Sequence, residues 1–165
     1  MAAGGPPLLS VLLAMKRHAP KVTYVLENGT IGPNPILPLD PFMTLISSKS
    51  DHKSVMWTNM NMTNWFASCG FFEYGILGGI QIDQWGNFNS GFLGGDYYHP
   101  ERRFGGPGGA NEIAYLCWKT IIMTDQQKRK FVKKADFVSS PGYIDGSKNA
   151  REREACREGR DLTGL

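Results

Sequence analysis

Apolar residues come in short blocks along the chain, each closed by glycine, proline or charge. The opening segment MAAGGPPLLSVLLAMKRHAP places an apolar block, residues 8–15, between a Gly-Pro start and a basic end. This pattern predicts a glycine-rich loop running into a helix. Proline is tolerated in a first helical turn, where its missing N–H has no helical partner. Lys16 and Arg17 complement the helix dipole at the other end, and Pro20 stops the helix. Residues 22–26 (VTYVL) are β-branched and apolar and predict a strand. Residues 30–41 (TIGPNPILPLDP) contain four prolines and predict no regular structure.

Further along, residues 55–62 (VMWTNMNM) alternate weakly and read as a strand, and residues 63–68 as a short helix. Residues 71–77 are apolar and aromatic, a third strand. In GGIQIDQWGNFNSG, residues 78–91, Gly86-Asn87 between hydrophobic positions marks a turn. FGGPGGANEIAYLC, residues 104–117, repeats the opening logic of a glycine-rich loop followed by a short helix. Residues 119–124 (KTIIMT) read as a strand, and residues 128–134 (KRKFVKK) as a solvated basic face. From Ser147 onward the chain is polar and heavily charged, and it reads as exposed helix or disorder. Strands alternate with helices, so the expected class is α/β: a three-layer open, mainly parallel sheet with flanking helices.

Composition narrows the function classes. A chain of 165 residues fits one domain and can bury about two thirds of its unfolded surface. The net charge of +3 is too mild to imply nucleic acid, although it is compatible with a phosphorylated ligand. Cys69, Cys117 and Cys156 are odd in number and widely spaced, with no CxxC and no Cys/His pair, which argues against a disulfide framework or a zinc site. Reduced thiols in a cytoplasmic protein are the expectation, with Cys117 in the core. No apolar run reaches the ~18 residues of a membrane span. Residues 8–15 lack the preceding positive charge of a signal peptide.

The candidate chemistry starts at Glu27. In open α/β sheets ligands bind beyond the carboxyl ends of strands, and Glu27-Asn28-Gly29 follows such an end. The acid is either a solvated turn residue or a carboxylate nucleophile. Two glycine-rich loops, Gly4-Gly5-Pro6-Pro7 and the stretch from Gly105 to Asn111, each open a helix. Such loops can present backbone N–H groups to a phosphate or an oxyanion, or can simply serve tight packing. Neither fits a P-loop or a dinucleotide fingerprint. His18 and His52 read as surface residues, His99 as a polar-loop residue that either stays on the surface or lines a site, and Asp83 as an acid orienting the turn after it. No metal-ligand spacing appears.

The segments GGIQIDQWGNFNS, GDYYHPERRFGGPGGANEIA, TIIMT and KRKFVKKADFVSSPGYIDG, taken together, resemble the beta subunits of the class I (family I) CoA-transferases, those of the glutaconate type in particular. The resemblance runs over residues 3–146, leaving 147–165 as a charged tail. It implies the CoA-transferase fold, and it implies that Glu27 is the catalytic glutamate of the family's Glu-Asn-Gly or Glu-Ser-Gly motif. Gly4 and Gly5 fall in the family's GxGxP loop, where Ala3 stands at the first glycine, and contribute to the oxyanion site. Gly108, Gly109, Ala110 and Asn111 match the GGAN loop near the bound thioester.

The implied reaction moves CoA from an acyl-CoA donor to a carboxylic acid through a glutamyl-CoA thioester, with ping-pong kinetics. It requires an alpha subunit as partner and no metal or redox cofactor, the CoA thioester being a substrate. Neither a nucleic acid nor a membrane is implied as a partner. Family members carry further elements before the first loop and after the IDG segment, so the chain reads as a fragment or a short variant. The alternatives are a relative of the same fold that hydrolyses or ring-opens CoA thioesters, and a non-catalytic truncated piece.

Overall fold

The computed structural model describes residues 1, 5–36, 38 and 48–147. The Gly-Pro entry and basic exit bound the first helix, α1 (Pro6–Arg17), with prolines at its first two positions and Lys16 and Arg17 in its last turn. His18 N–H closes the helix on the Ala14 carbonyl at 3.0 Å. Its apolar side packs Leu8 and Val11 against Tyr24 and Leu26, with Leu12, Met15 and Ile76 around them. Leu8 and Leu26 are wholly buried, and each such leucine contributes about 1.5–3 kcal/mol relative to exposure.

The remaining elements are short. They are β1 (Thr30–Ile31), β2 (Met56–Trp57), α2 (Met60–Ser68), β3 (Tyr74–Gly78), β4 (Gln81–Asp83), β5 (Phe88–Asn89), β6 (Phe92–Leu93), β7 (Arg102–Arg103), α3 (Ala110–Leu116), β8 (Lys119–Met123) and β9 (Phe131–Val132). A 3₁₀ turn, Lys128–Lys130, leads into β9. The class is α/β. β4 and β9 supply a parallel pair, with Ile82 opposite Phe131. The β1–β2, β4–β5 and β6–β7 pairs are antiparallel, and β3 lies beside β8.

The chain divides into two compact units: Met1–Leu77 with Leu116–Met123, and Gly78–Tyr115 with Thr124–Leu165. The first holds the α1 core, α2 and the β1–β2 and β3–β8 pairs. Cys117 is buried there and Cys69 exposed, and neither is in a disulfide.

The second unit is built on buried polar side chains. Asp83 Oδ1 accepts the N–H groups of Trp85 (2.9 Å) and Asn87 (3.0 Å), so this acid does orient the turn that follows it. Asn87 Nδ2 donates to Asp83 Oδ2 (2.9 Å) and to the Ile144 carbonyl, while Asn87 Oδ1 accepts from Gly142 N–H (2.8 Å). Asn89 Nδ2 donates to Gln81 Oε1 at 2.9 Å, and the same oxygen accepts Asp136 N–H at 3.1 Å. The QID, GNFNS and SPGYIDG motifs therefore form one hydrogen-bonded scaffold centred on Asn87.

Three expectations shift. Residues 22–26 are buried from Tyr24 onward, but they form isolated bridges at Val25 and Leu26 in place of an extended strand, Val25 pairing antiparallel with Ile31. The weakly alternating stretch 55–62 divides into β2 and the first turn of α2, because Asn59 caps the helix: its side chain accepts Met62 N–H at 2.9 Å. The proline-rich stretch opens with the two residues of β1, and residues 32–36 after it are irregular. The charged tail from residue 148 on and Cys156 lie outside the described residues. Among the described residues no helix is long and apolar enough to cross a membrane.

Candidate active site

The first unit positions Glu27 at the head of a tight hairpin. Leu26 N–H donates to the Thr30 carbonyl (2.9 Å), Gly29 N–H to the Leu26 carbonyl (3.1 Å) and Gly32 N–H to the Tyr24 carbonyl (2.7 Å). Glu27 itself is 9% exposed, so the solvated-turn reading does not describe it. Gly29 carries a φ of +105°, and a Cβ there would lie 2.6 Å from the Thr58 carbonyl carbon and oxygen. Only glycine fits that position. Thr58 N–H donates back to the Gly29 carbonyl at 2.9 Å, so the turn closes on the residue before the Asn59 cap of α2.

Side chains complete the hairpin. Thr30 N–H donates to Asn28 Oδ1 at 3.1 Å, an Asx turn across Gly29. Asp51 Oδ1 accepts from Thr30 Oγ1 at 2.9 Å and from Asn28 Nδ2 at 3.3 Å. Burial beneath the hairpin pushes the Tyr24 phenol far above its ordinary value, so it stays neutral. Thr23, Val25, Ile31, Phe66, Phe71 and Phe72 line an open apolar pocket of about 260 Å³ in the same unit. Such a lining suits the hydrocarbon part of a ligand.

The other expected residues divide between the units. Gly4 lies outside the described residues. Gly5, in the first unit with Glu27, is buried, caps α1 with a φ of +72° and accepts Leu9 N–H at 3.2 Å. Pro6 and Pro7 have no N–H, so donors at that helix entrance come only from the residues flanking them.

Gly108, Gly109, Ala110 and Asn111 lie together in the second unit. Ala110 N–H donates to the Pro107 carbonyl (2.9 Å) and Ile113 N–H to the Gly109 carbonyl (3.0 Å), which fixes the loop onto α3. Asn111 Oδ1 and Glu112 Oε2 are buried with no hydrogen-bond partner among the described residues. Two idle buried acceptors can take N–H or O–H groups from a ligand, and idle buried acceptors are otherwise costly, about 1–3 kcal/mol each.

His99 is exposed and lies 3.5 Å from Asp96. The N–H groups of His99 and Tyr98 hold the Asp96 carboxyl below its ordinary range, so this pair serves a surface turn. Among the described residues no cluster of His, Cys, Asp or Glu could hold a metal ion. Sequence reading missed Asp51, Thr30 and Thr58. The Asn-Gly-Thr triplet is a signal for the Asx turn, but nothing local marks Asp51, which lies more than twenty residues from Asn28.

Known proteins share this arrangement of segments. The chain is 37% identical over 162 residues to the beta subunit of glutaconate CoA-transferase from Acidaminococcus fermentans, covering 90% of the chain and 56% of that protein. It is 33% identical over 149 residues to the beta subunit of 3-oxoadipate CoA-transferase from Pseudomonas knackmussii, with the same two coverages of 90% and 56%. The crystal structure of glutaconate CoA-transferase from A. fermentans superposes with a TM-score of 0.81 at 33% identity, covering 92% of this chain and 58% of that one. The chain thus spans about half the length of the curated relatives it matches. The Coenzyme A transferase family matches residues 2–157, nearly the whole chain, and the chain belongs to that family.

Proposed function

We propose that the chain is part of the beta subunit of a CoA-transferase and that Glu27 is its covalent nucleophile. The observation that carries this reading is a buried glutamate on a hairpin whose glycine cannot be replaced, in a chain 37% identical to a CoA-transferase of the glutaconate type. Glu27 attacks the thioester carbonyl of an acyl-CoA. The C–S bond breaks, giving an acyl-glutamyl anhydride and CoA thiolate. The thiolate then attacks the glutamyl carbonyl, leaving a glutamyl-CoA thioester and releasing the free acid. An acceptor carboxylate runs the same steps in reverse. Each attack passes through a tetrahedral oxyanion.

Gly4, Gly5, Gly108 and Gly109 are the proposed backbone donors to these oxyanions, Ala110 holding their loop through its bond to the Pro107 carbonyl, and removing one such donor typically costs about 10²–10³ in rate. The buried Oδ1 of Asn111 is the proposed acceptor for an N–H of the CoA arm. The chemistry uses the glutamate and the CoA thiol and calls on no metal or redox group. Both curated relatives are named as one kind of subunit within a larger enzyme, which supports an alpha subunit as partner. The reaction fits a cytoplasmic enzyme, where CoA thioesters are made and used.

The test is mass spectrometry of the protein co-expressed with an alpha subunit, incubated with glutaconyl-CoA or 3-oxoadipyl-CoA and quenched with borohydride. A reduced adduct on the Glu27 peptide, absent in Glu27→Ala, is expected. Thioester hydrolysis without an acceptor and without an adduct would instead point to a hydrolase of the same fold. Absence of both complex and turnover would point to a non-catalytic piece.

A further inference from the structure

We infer that Asp51 is a positioning residue for Glu27, acting through Asn28 and Thr30. The inference rests on Glu27 being the nucleophile. One oxygen, Asp51 Oδ1, accepts from Thr30 Oγ1 (2.9 Å) and Asn28 Nδ2 (3.3 Å), while Asn28 Oδ1 accepts Thr30 N–H (3.1 Å). The three groups form a closed ring of hydrogen bonds across Gly29, starting at the residue that follows Glu27. Thr30 is 4% exposed, so its hydroxyl is buried against the acid. Hydrogen bonds to a carboxylate are roughly twice as strong as neutral ones.

Asp51 is itself held. Ser54 N–H donates to its carbonyl at 3.3 Å, and on either side the Lys49 and His52 carbonyls accept from Ile36 (2.9 Å) and Asn34 (2.8 Å). The segment that supplies Asp51 is thus fastened to the chain leaving the hairpin.

The hairpin does not depend on this acid to form. Its main chain is closed by Leu26–Thr30, Gly29–Leu26, Gly32–Tyr24 and Thr58–Gly29 hydrogen bonds, none of which involves Asp51. What Asp51 adds falls on the side chains bracketing Gly29, directly after Glu27. A nucleophile must meet its carbonyl within a narrow range of position, and a 1 Å error costs about 10²-fold in rate. A second anchor, added to a turn already closed by its backbone, fits that demand.

The test is single-turnover formation of the borohydride-trapped Glu27 adduct, with glutaconyl-CoA as probe, in the full protein with its alpha subunit. Asp51→Ala is expected to slow adduct formation by roughly 10- to 100-fold with KM near wild type, and to lower the thermal midpoint because the buried Thr30 hydroxyl loses its acceptor. Asp51→Asn keeps an accepting oxygen and is expected to recover part of that loss, a pattern that loss of fold would not produce. Thr30→Val, which removes the buried donor, is expected to slow the step in the same way. If Asp51→Ala fails to fold, Asp51→Asn and Thr30→Val decide the matter. Adduct formation at the wild-type rate in the folded variants, with wild type labelled at Glu27, overturns the role of Asp51. A wild-type protein with no adduct on Glu27 overturns the nucleophile reading, and this inference with it.

Discussion

At the scale of single residues, the hairpin turns on Gly29. Its φ of +105° is one that side chains other than hydrogen rarely adopt, and the Thr58–Asn59 peptide stands 2.6–2.7 Å from where a Cβ would go. That obstacle is backbone next to a helix cap, so it cannot swing aside as a side chain would. Gly29→Ala is therefore expected to destabilise the protein by more than about 1 kcal/mol, read as a lower denaturant midpoint at an unchanged slope. An unchanged midpoint would mean that the turn relaxes freely. The residue scale is also where sequence reading reached furthest and stopped most abruptly. Glu-Asn-Gly after an apolar run marked the turn and left Glu27 open between a solvated acid and a nucleophile. Asp51 was invisible because its partners are distant in sequence and a lone aspartate in SKSDHKS looks like any solvated acid.

Among the elements, the helix α1 was legible because proline, glycine and basic residues punctuate both of its ends. Residues 24–26 were legible as buried, yet not in their pairing, since apolar pattern encodes what leaves water and says nothing about the neighbour that receives the backbone bonds. α2 was half legible. Asn59 and Asn61 mimic a strand's alternation, whereas Asn59 is a cap. The polar scaffold of the second unit shows the reverse case, in which motif residues that look like surface turn formers are buried. Asn87 is 2% exposed and serves Asp83, Ile144 and Gly142 at once. Asn87→Ala strands a carboxylate oxygen, a carbonyl and two N–H groups. It is expected to cost more than about 2 kcal/mol and to strip hydrogen-exchange protection from the Gly142 and Ile144 amides. Retained protection at those amides would show that it does not depend on the Asn87 side chain.

For the whole molecule, motif spacing over most of the chain carried the family, while the pairing of its short sheets lay beyond it. The GGIQID, GGAN and SPGYIDG segments are far apart in sequence, and no periodicity links them. Their spacing is intelligible once the first and last are seen to hydrogen-bond as one scaffold. The same hairpin that holds Glu27 also bears on how the molecule ages. Asn-Gly is the dipeptide most prone to deamidation, in which the glycine nitrogen attacks the asparagine side-chain carbonyl and ammonia leaves. Here the Gly29 N–H is committed to the Leu26 carbonyl and both ends of the Asn28 amide are engaged. The attack would require the turn to open. In the folded protein Asn28 is expected to persist for long incubations at mild alkaline pH, while in urea it converts to aspartate and isoaspartate, as peptide mass spectrometry can follow. Equal rates in the two states would mean that the turn opens readily. The fold thus acts as a preservative for the peptide beside Glu27, and lapses in folding leave a lasting chemical record there.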